Sequence, residues 1–125
     1  MILKVLLISI GGSIGAVFRY LIFVLFEKST TSTFPWPTLV INITGAFVIG
    51  FLWGWFDRLY VAPGIRMLIF IGILGSFTTF STFAFDVFSL VHDGQIKNVI
   101  FYILGTNILG IGLAFVGFYI TRLIS

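Results

Sequence analysis

One stretch of the chain, residues 75–83, places glycine, phenylalanine and hydroxyl side chains in the middle of an apolar segment. Four of the five residues from Thr78 to Thr82 carry hydroxyl groups. This composition predicts a helix break, and irregular backbone inside a membrane is tolerated only where it is buried in protein or lines a polar cavity. The carbonyl groups released by a break need partners, which could be threonine hydroxyls, a buried water or a bound cation.

Uncharged polar side chains on other segments could extend this site into a path for a small ion. Asn42 brings an amide with two N–H donors to the second apolar segment. The other members of this predicted polar track are Ser81, Thr82, Tyr102, Thr106 and Asn107. Such a track lowers the cost of dehydrating an ion without trapping it. Hydrogen bonding between helices is the alternative role for an amide at this depth.

Phe77, Phe80 and Phe83 recur every third residue among the hydroxyl groups. Their spacing is compatible with ordinary packing. The alternative role is electrostatic, because the edge of a phenyl ring is electropositive and an edge-on ring can solvate an anion weakly. Rings interleaved with hydroxyl donors suit an anion path better than a cation path.

Two charged residues lie inside apolar segments: Arg19 in the first and Asp86 in the third. Arg19 lies about 24 Å along its helix, and both residues approach the same face of the membrane. A charge in lipid is costly and is usually paired. Four roles stay open: a structural Arg19–Asp86 ion pair, snorkelling to the interface, an anion-attracting vestibule, or a proton relay.

Four helices must position these groups. Of the 125 residues, 59% are hydrophobic and 9% are charged, against about 25% charged in soluble domains. The sequence therefore predicts a single all-α membrane domain over residues 1–125, with spans at residues 3–26, 37–56, 65–91 and 99–122. The absence of a Gly-Lys dipeptide excludes a P-loop ATPase, and the absence of cysteine excludes thiol chemistry. The net charge of +3 suits a membrane interface rather than a nucleic acid.

The positive charges that flank the spans are distributed with only a weak excess on one side of the membrane. The side that holds both termini and the second turn carries four: Lys4, Arg58, Arg66 and Arg122. The opposite side carries Lys28 and Lys97. This bias allows either an ordinary orientation with the termini in the cytoplasm or insertion in both directions.

Three motifs carry a resemblance to a known family. They are Gly11-Gly12-x-x-Gly15-x-x-x-Arg19, Pro37-Thr38-Leu39-x-x-Asn42-x-x-Gly45 and the whole stretch from Gly75 to Phe83. With them the chain resembles, over essentially its full length, the small bacterial fluoride channels called Fluc or CrcB. The resemblance implies an antiparallel, dual-topology homodimer in the bacterial plasma (inner) membrane. It also implies passive, fluoride-selective conduction through two pores along the dimer interface, with no enzymatic activity.

The resemblance assigns roles to individual residues. It implies that Asn42 is the pore amide and that Phe80 and Phe83 are the pore rings, with the hydroxyls of Ser81 and Thr82 beside them. The third helix is expected to break around Gly75 and Thr78, whose carbonyl groups would hold a structural sodium ion on the dimer axis. Arg19 matches the arginine of the family's first span.

Two positions depart from the family pattern. Asp86 stands where the family usually has glutamate, one methylene longer. The register of the track on the fourth span depends on whether Tyr102, Thr106 or Asn107 is aligned, and Gly110 or Ile111 occupies its outer end.

Two other function classes fit the size of the chain. A small dual-topology multidrug exporter driven by proton exchange needs an acidic residue deep in the first span, and that span has none. A non-conducting membrane subunit or assembly factor is the third hypothesis.

Overall fold

The computed structural model describes residues 1–29 and 31–124, and within them every regular element is helical. Helix α1 covers Ile2–Ser29 and α2 covers Trp36–Phe56. Helix α3, residues 63–77, consists of an α-helical turn at Pro63–Arg66, a π-helical run at Met67–Leu74 and a final turn at Gly75–Phe77. Helix α4 covers Phe80–His92 and α5 covers Ile96–Leu123.

With α3 and α4 counted together as Pro63–His92, the described part of the chain has four helices long and apolar enough to cross a membrane. The prediction of a four-span, all-helical protein is thus confirmed. Apart from the end of α2, which lies at Phe56 as predicted, the helices reach one to three residues beyond the predicted spans. The largest extensions are at Ser29, where α1 ends, and at Ile96, where α5 begins. The π-helical run was not predicted, since its sequence MLIFIGIL has the composition of any apolar helix.

Proline and glycine mark the connections. Pro37 and Pro63 lie in the first turns of α2 and α3, where a helix does not need their missing N–H groups. Gly94 connects α4 to α5 with φ +74°, a left-handed conformation that a side chain would strain. Across this end of the molecule, the Gln95 side chain accepts hydrogen bonds from Thr33 and Asn98.

The helices pack as two close pairs, α2 with α5 and α1 with α3. Gly50 and Gly117 let α2 and α5 touch backbone to backbone, because a Cβ at either position would collide with a carbonyl group of the other helix. Gly11 and Gly15 do the same for α1 against the carbonyls of α3. Small residues at helix contacts are the usual means of close approach in membranes.

Little of the apolar surface is covered within one chain. Only 11–22% of the most apolar window of each span is buried. The small core that exists is centred on Leu39, Leu90 and Tyr102, with Phe83 packed against it. Most of the remaining surface must therefore contact lipid or another copy of the chain.

Candidate functional site

The break in the third span lies at two residues, Thr78 and Thr79, which have extended backbone. The interruption that the sequence predicts is present, but its position corrects the expectation that it centres on Gly75 and Thr78. Gly75 is helical, with φ −63° and ψ −34°, and the chain leaves the helix only at Thr78, with φ −80° and ψ 156°. Gly75 stays helical because the turn through Phe77 still closes, with the Thr78 N–H donating to the Leu74 carbonyl over 3.0 Å.

Asn42 of α2 holds the extended backbone from both sides. The Thr79 N–H donates to Asn42 Oδ1 over 2.9 Å, and Asn42 Nδ2 donates to the Thr79 carbonyl over 3.0 Å. The amide thus replaces the helical acceptor that the Thr79 N–H loses at the break. It also donates to the Thr79 carbonyl, which as the N-cap carbonyl already accepts the first bond of α4. Since the Asn42 nitrogen carries two hydrogens, one N–H remains for another acceptor.

Thr79 also caps the start of α4. Its Oγ1 accepts from the Thr82 N–H over 3.2 Å and donates to Thr82 Oγ1 over 3.1 Å. Threonine is a preferred residue at this position because its side chain satisfies a backbone donor that the first helical turn leaves free. The Thr79 and Ser81 hydroxyls lie 3.4 Å apart, so the restart of the helix carries three neighbouring hydroxyl groups.

These side-chain bonds release the two carbonyl groups expected to bind a cation. In a continuous helix the Thr79 N–H would donate to the Gly75 carbonyl and the Thr82 N–H to the Thr78 carbonyl. Here the first donates to Asn42 and the second to the Thr79 side chain. Carbonyl oxygens are hard ligands, so the residues present fit a small, hard cation such as sodium.

A groove of about 400 Å³ collects most of the residues predicted for the site. Seven of them line it: Asn42, Gly75, Thr78, Phe80, Phe83, Thr106 and Asn107. The apolar walls come from residues of α2 and α3 such as Ile49 and Phe70. The structure therefore brings the amide, the rings, the released carbonyls and part of the α5 track to one place.

The two predicted pore rings have different environments. Phe83 is partly buried and packs on the ring of Tyr102, with centroids 4.9 Å apart. Phe80 is 78% exposed, and its centroid lies 5.8 Å from that of Phe83. One ring is thus fixed by its own chain, whereas the other projects away from it. Phe77 is not among the residues that line the groove.

The α5 residues divide between the groove and the core. Thr106 Oγ1 is buried and forms no hydrogen bond. Among the described residues it is the one buried side-chain nitrogen or oxygen atom without a hydrogen-bond partner. Asn107 lines the groove too, but its amide donates to the Ile103 carbonyl of its own helix. Tyr102 is fully buried behind Phe83. Of the alternative registers, the one through Thr106 leaves a polar atom available beside the groove.

Asp86 is bonded to tyrosine rather than to arginine. The Tyr102 hydroxyl donates to Asp86 Oδ2 over 2.8 Å, and buried Thr38 lies beside the same hydroxyl. Within residues 1–29 and 31–124 the one ion pair joins Arg122 to Asp57. The Arg19–Asp86 ion pair considered from the sequence is thus absent from the single chain, because Asp86 already has a hydroxyl partner and Arg19 stays partly exposed on α1.

Sequence reasoning missed two residues of the site. Thr79 was seen only as one hydroxyl among several, although its position three residues before Thr82 is that of an N-cap. Thr38 was quoted as part of a motif without a role. Its proximity to Tyr102 depends on how α2 packs against α5, for which the sequence gives no local signal.

Comparison with known proteins gives a consistent result over nearly the whole chain. The family model described as CrcB-like protein, Camphor Resistance (CrcB), matches residues 6–118. A protein of Aquifex aeolicus named fluoride-specific ion channel FluC is 40% identical over 112 residues, covering 89% of this chain and 90% of that protein. A protein of Nitrobacter winogradskyi with the same name is 38% identical over 121 residues, covering 96% of each.

A third relative, fluoride-specific ion channel FluC 2 of Clostridium acetobutylicum, is 40% identical over 119 residues, covering 95% of each chain. These relatives are bacterial and are named as channels rather than as enzymes. Together with the four long apolar helices, they identify a multi-pass bacterial membrane protein. Because the family match includes every element that builds the break and the groove, the chain belongs to the CrcB family.

Proposed function

We propose that this protein is a passive, fluoride-selective ion channel that exports fluoride from the cytoplasm across the bacterial plasma membrane. The observation that carries the proposal is the groove at the break, where hydrogen-bond donors and ring edges meet without a fully charged side chain. The names of the relatives support fluoride as the ion.

The start of α4 supplies an electrostatic reason for an anion, whereas the end of α3 carries the opposite partial charge and suits a cation. Helix α4 begins at Phe80, so its N-terminal end, with partial positive charge, lies beside the groove. Fluoride is small and strongly hydrated, and a path for it must replace water with donors. In the groove, the second N–H of Asn42 and the Thr106 hydroxyl are such donors, and the edges of Phe80 and Phe83 add weak polarisation. The hydroxyls of Ser81 and Thr82 do not line the groove but lie in the first turn of α4 next to it.

The exporter hypothesis receives no support. Proton exchange needs an acidic residue at the binding site, whereas the groove is lined by none and α1 has no acid before Glu27. Asp86, the nearest candidate, is engaged by the Tyr102 hydroxyl.

Fluoride flux from liposomes that contain only this protein tests the proposal. A fluoride gradient should discharge when a potassium ionophore supplies the counter-charge, and chloride should not follow at a comparable rate. Equal chloride flux, or an obligatory proton for each fluoride, would refute passive, fluoride-selective conduction.

For the assembly, we propose an antiparallel, dual-topology homodimer whose two copies complete the groove from both sides. Support comes from the exposure of Phe80 and from the small buried fraction of every span. Adding three lysines to the turn between Asp57 and Gly64 should lock one orientation and abolish activity. Co-expression with an oppositely biased copy should restore it, whereas full activity of the locked form alone would contradict dual topology.

We further propose that the released carbonyls of Gly75 and Thr78, from two copies, hold a structural sodium ion on the dimer axis. When bound, the ion would add a fixed positive charge near the anion paths. Replacing sodium with a bulky organic cation should lower fluoride flux or loosen the dimer. Flux and dimer stability that are indifferent to sodium would refute this part while leaving fluoride conduction intact.

A further inference from the structure

A second cavity, of about 350 Å³, opens far from the break, between the C-terminal ends of α2 and α5. Its lining residues are Phe51, Trp55, Arg58, Leu59, Thr121 and Ile124. We refer to it as the terminal cleft. It lies at the end of the spans, and the nearby Trp53 and Tyr60 are exposed, as expected for aromatic residues at a membrane interface.

The interior of the terminal cleft is apolar. Thr121, its buried polar residue, donates its hydroxyl hydrogen to the Phe118 carbonyl over 2.5 Å, so that hydrogen is not available to a ligand. The rest of the interior consists of aromatic and aliphatic side chains. A volume of this size lies at the lower end of the ~300–1,000 Å³ typical of ligand sites. The cleft therefore suits a hydrocarbon chain better than a polar molecule.

The mouth of the terminal cleft carries a free positive charge. The three arginines at this end of the molecule differ in their partners. Arg66 donates to the Phe56 carbonyl over 2.8 Å, and Arg122 pairs with Asp57 over 3.1 Å and lies over the Phe118 ring. Among the described residues, the Arg58 side chain forms no hydrogen bond or ion pair, and it is the one arginine that lines the cleft.

We propose that the terminal cleft binds an anionic phospholipid, with an acyl chain against Phe51, Trp55 and Leu59 and the phosphate at Arg58. The charge of this end is complementary, because Lys4, Arg58, Arg66 and Arg122 face a single acid, Asp57. The inference does not depend on which ion the protein conducts. It concerns a lipid site outside the groove and predicts a preference for phosphatidylglycerol over phosphatidylcholine.

Trp55 provides a reporter inside the cleft. The double variant Trp36→Phe, Trp53→Phe leaves Trp55 as the sole tryptophan. In vesicles, brominated phosphatidylglycerol should quench Trp55 fluorescence severalfold more strongly than brominated phosphatidylcholine at equal mole fraction. In the same background, Arg58→Gln should remove this preference, weakening binding about fivefold as for one basic residue at an anionic surface.

Lys4→Gln is the matched control, because it removes the same charge from the same end without touching the cleft. Retention of the lipid preference in that variant supports a specific site. Equal quenching by both lipids, or equal loss in both variants, would overturn the proposal. So would the absence of quenching by either lipid, which would indicate that a second copy of the chain fills the cleft. If the tryptophan variant does not fold, loss of phosphatidylglycerol adducts from Arg58→Gln in native mass spectrometry replaces the fluorescence test.

Discussion

The break at Thr78 and Thr79 and the close pair of α2 and α5 satisfy the same backbone requirement in opposite ways. In the pair, each helix keeps its own hydrogen bonds, and glycines allow the backbones to touch. At the break, the Asn42 side chain of α2 accepts the hydrogen bond that the Thr79 N–H would make within a continuous helix, and it donates to the Thr79 carbonyl. The close contact between α2 and α5 leaves no backbone group free, whereas the break leaves carbonyls, hydroxyls and an amide hydrogen beside a groove.

The difference explains where function can reside in so apolar a chain. A membrane offers no water to an unpaired backbone group, so a polar site must be built by diverting existing hydrogen bonds. Asn42 does this on α2 only three residues before Gly45, where a Cβ would collide with the Thr78 side chain. The close pair of α2 and α5 thus supports the break, which α2 contacts through Asn42 and Gly45.

The largest effect is expected from a substitution that disturbs the close packing of α2 against α5. Gly117→Ala should prevent recovery of folded protein, because its Cβ would meet the Phe47 carbonyl and the Phe51 nitrogen of α2. Overpacking of this kind costs about 1–3 kcal/mol or more. The yield of monodisperse protein and its thermal unfolding in detergent are the measurements.

Gly112→Ala on the same helix is the matched control. A Cβ there meets nothing within 4 Å, and alanine favours a helix by about 1 kcal/mol over glycine. The variant should be at least as stable as the parent. A severe loss at Gly112 instead would indicate that a second copy packs against this face.

The next largest effect is expected from removing the Asn42 amide, which holds the extended backbone at Thr79. Asn42→Ala should abolish fluoride flux and lower the free energy of unfolding by about 1–3 kcal/mol, since two partly buried hydrogen bonds of ~0.5–1.5 kcal/mol each are lost. Thr44→Ala, two residues later and exposed, should change neither quantity. Normal flux in Asn42→Ala would mean that the break holds itself open without the amide.

The smallest effect on folding is expected at the pore rings. Their substitution should lower conduction and leave the fold intact. Phe83→Ile fills similar space without an electropositive edge, so fluoride flux should fall roughly tenfold, the equivalent of ~1.4 kcal/mol of barrier, while the dimer persists. Phe77→Ile, outside the groove, should do much less. Equal losses in flux at Phe77 and Phe83 would favour packing as the role of both rings.

The sequence was sufficient for the four spans, for the existence of the break and for seven residues of the groove, because hydropathy and hydroxyl clustering are local signals. Ser81, Thr82 and Tyr102, also predicted for the polar track, do not line the groove. It was insufficient where the answer depends on which helices touch. The partner of Asp86 is an example: helix depth suggested Arg19, but the α4–α5 contact presents the Tyr102 hydroxyl first. The backbone partner of Asn42 is another, since an amide in an apolar helix does not indicate which carbonyl it meets.

The π-helical run at Met67–Leu74 sets the angular phase of everything after it. A π turn takes in more residues than an α turn, so this run behaves like a helix with an inserted residue. Deleting one residue there should let α3 return to ordinary geometry with Thr78 still near Asn42, because the wide turn absorbs the extra residue. A deletion in the α-helical turn at Gly75–Phe77 would instead rotate the break by about 100°, away from Asn42. The tolerance of α3 to deletions therefore depends on helix rotation rather than on hydrophobicity.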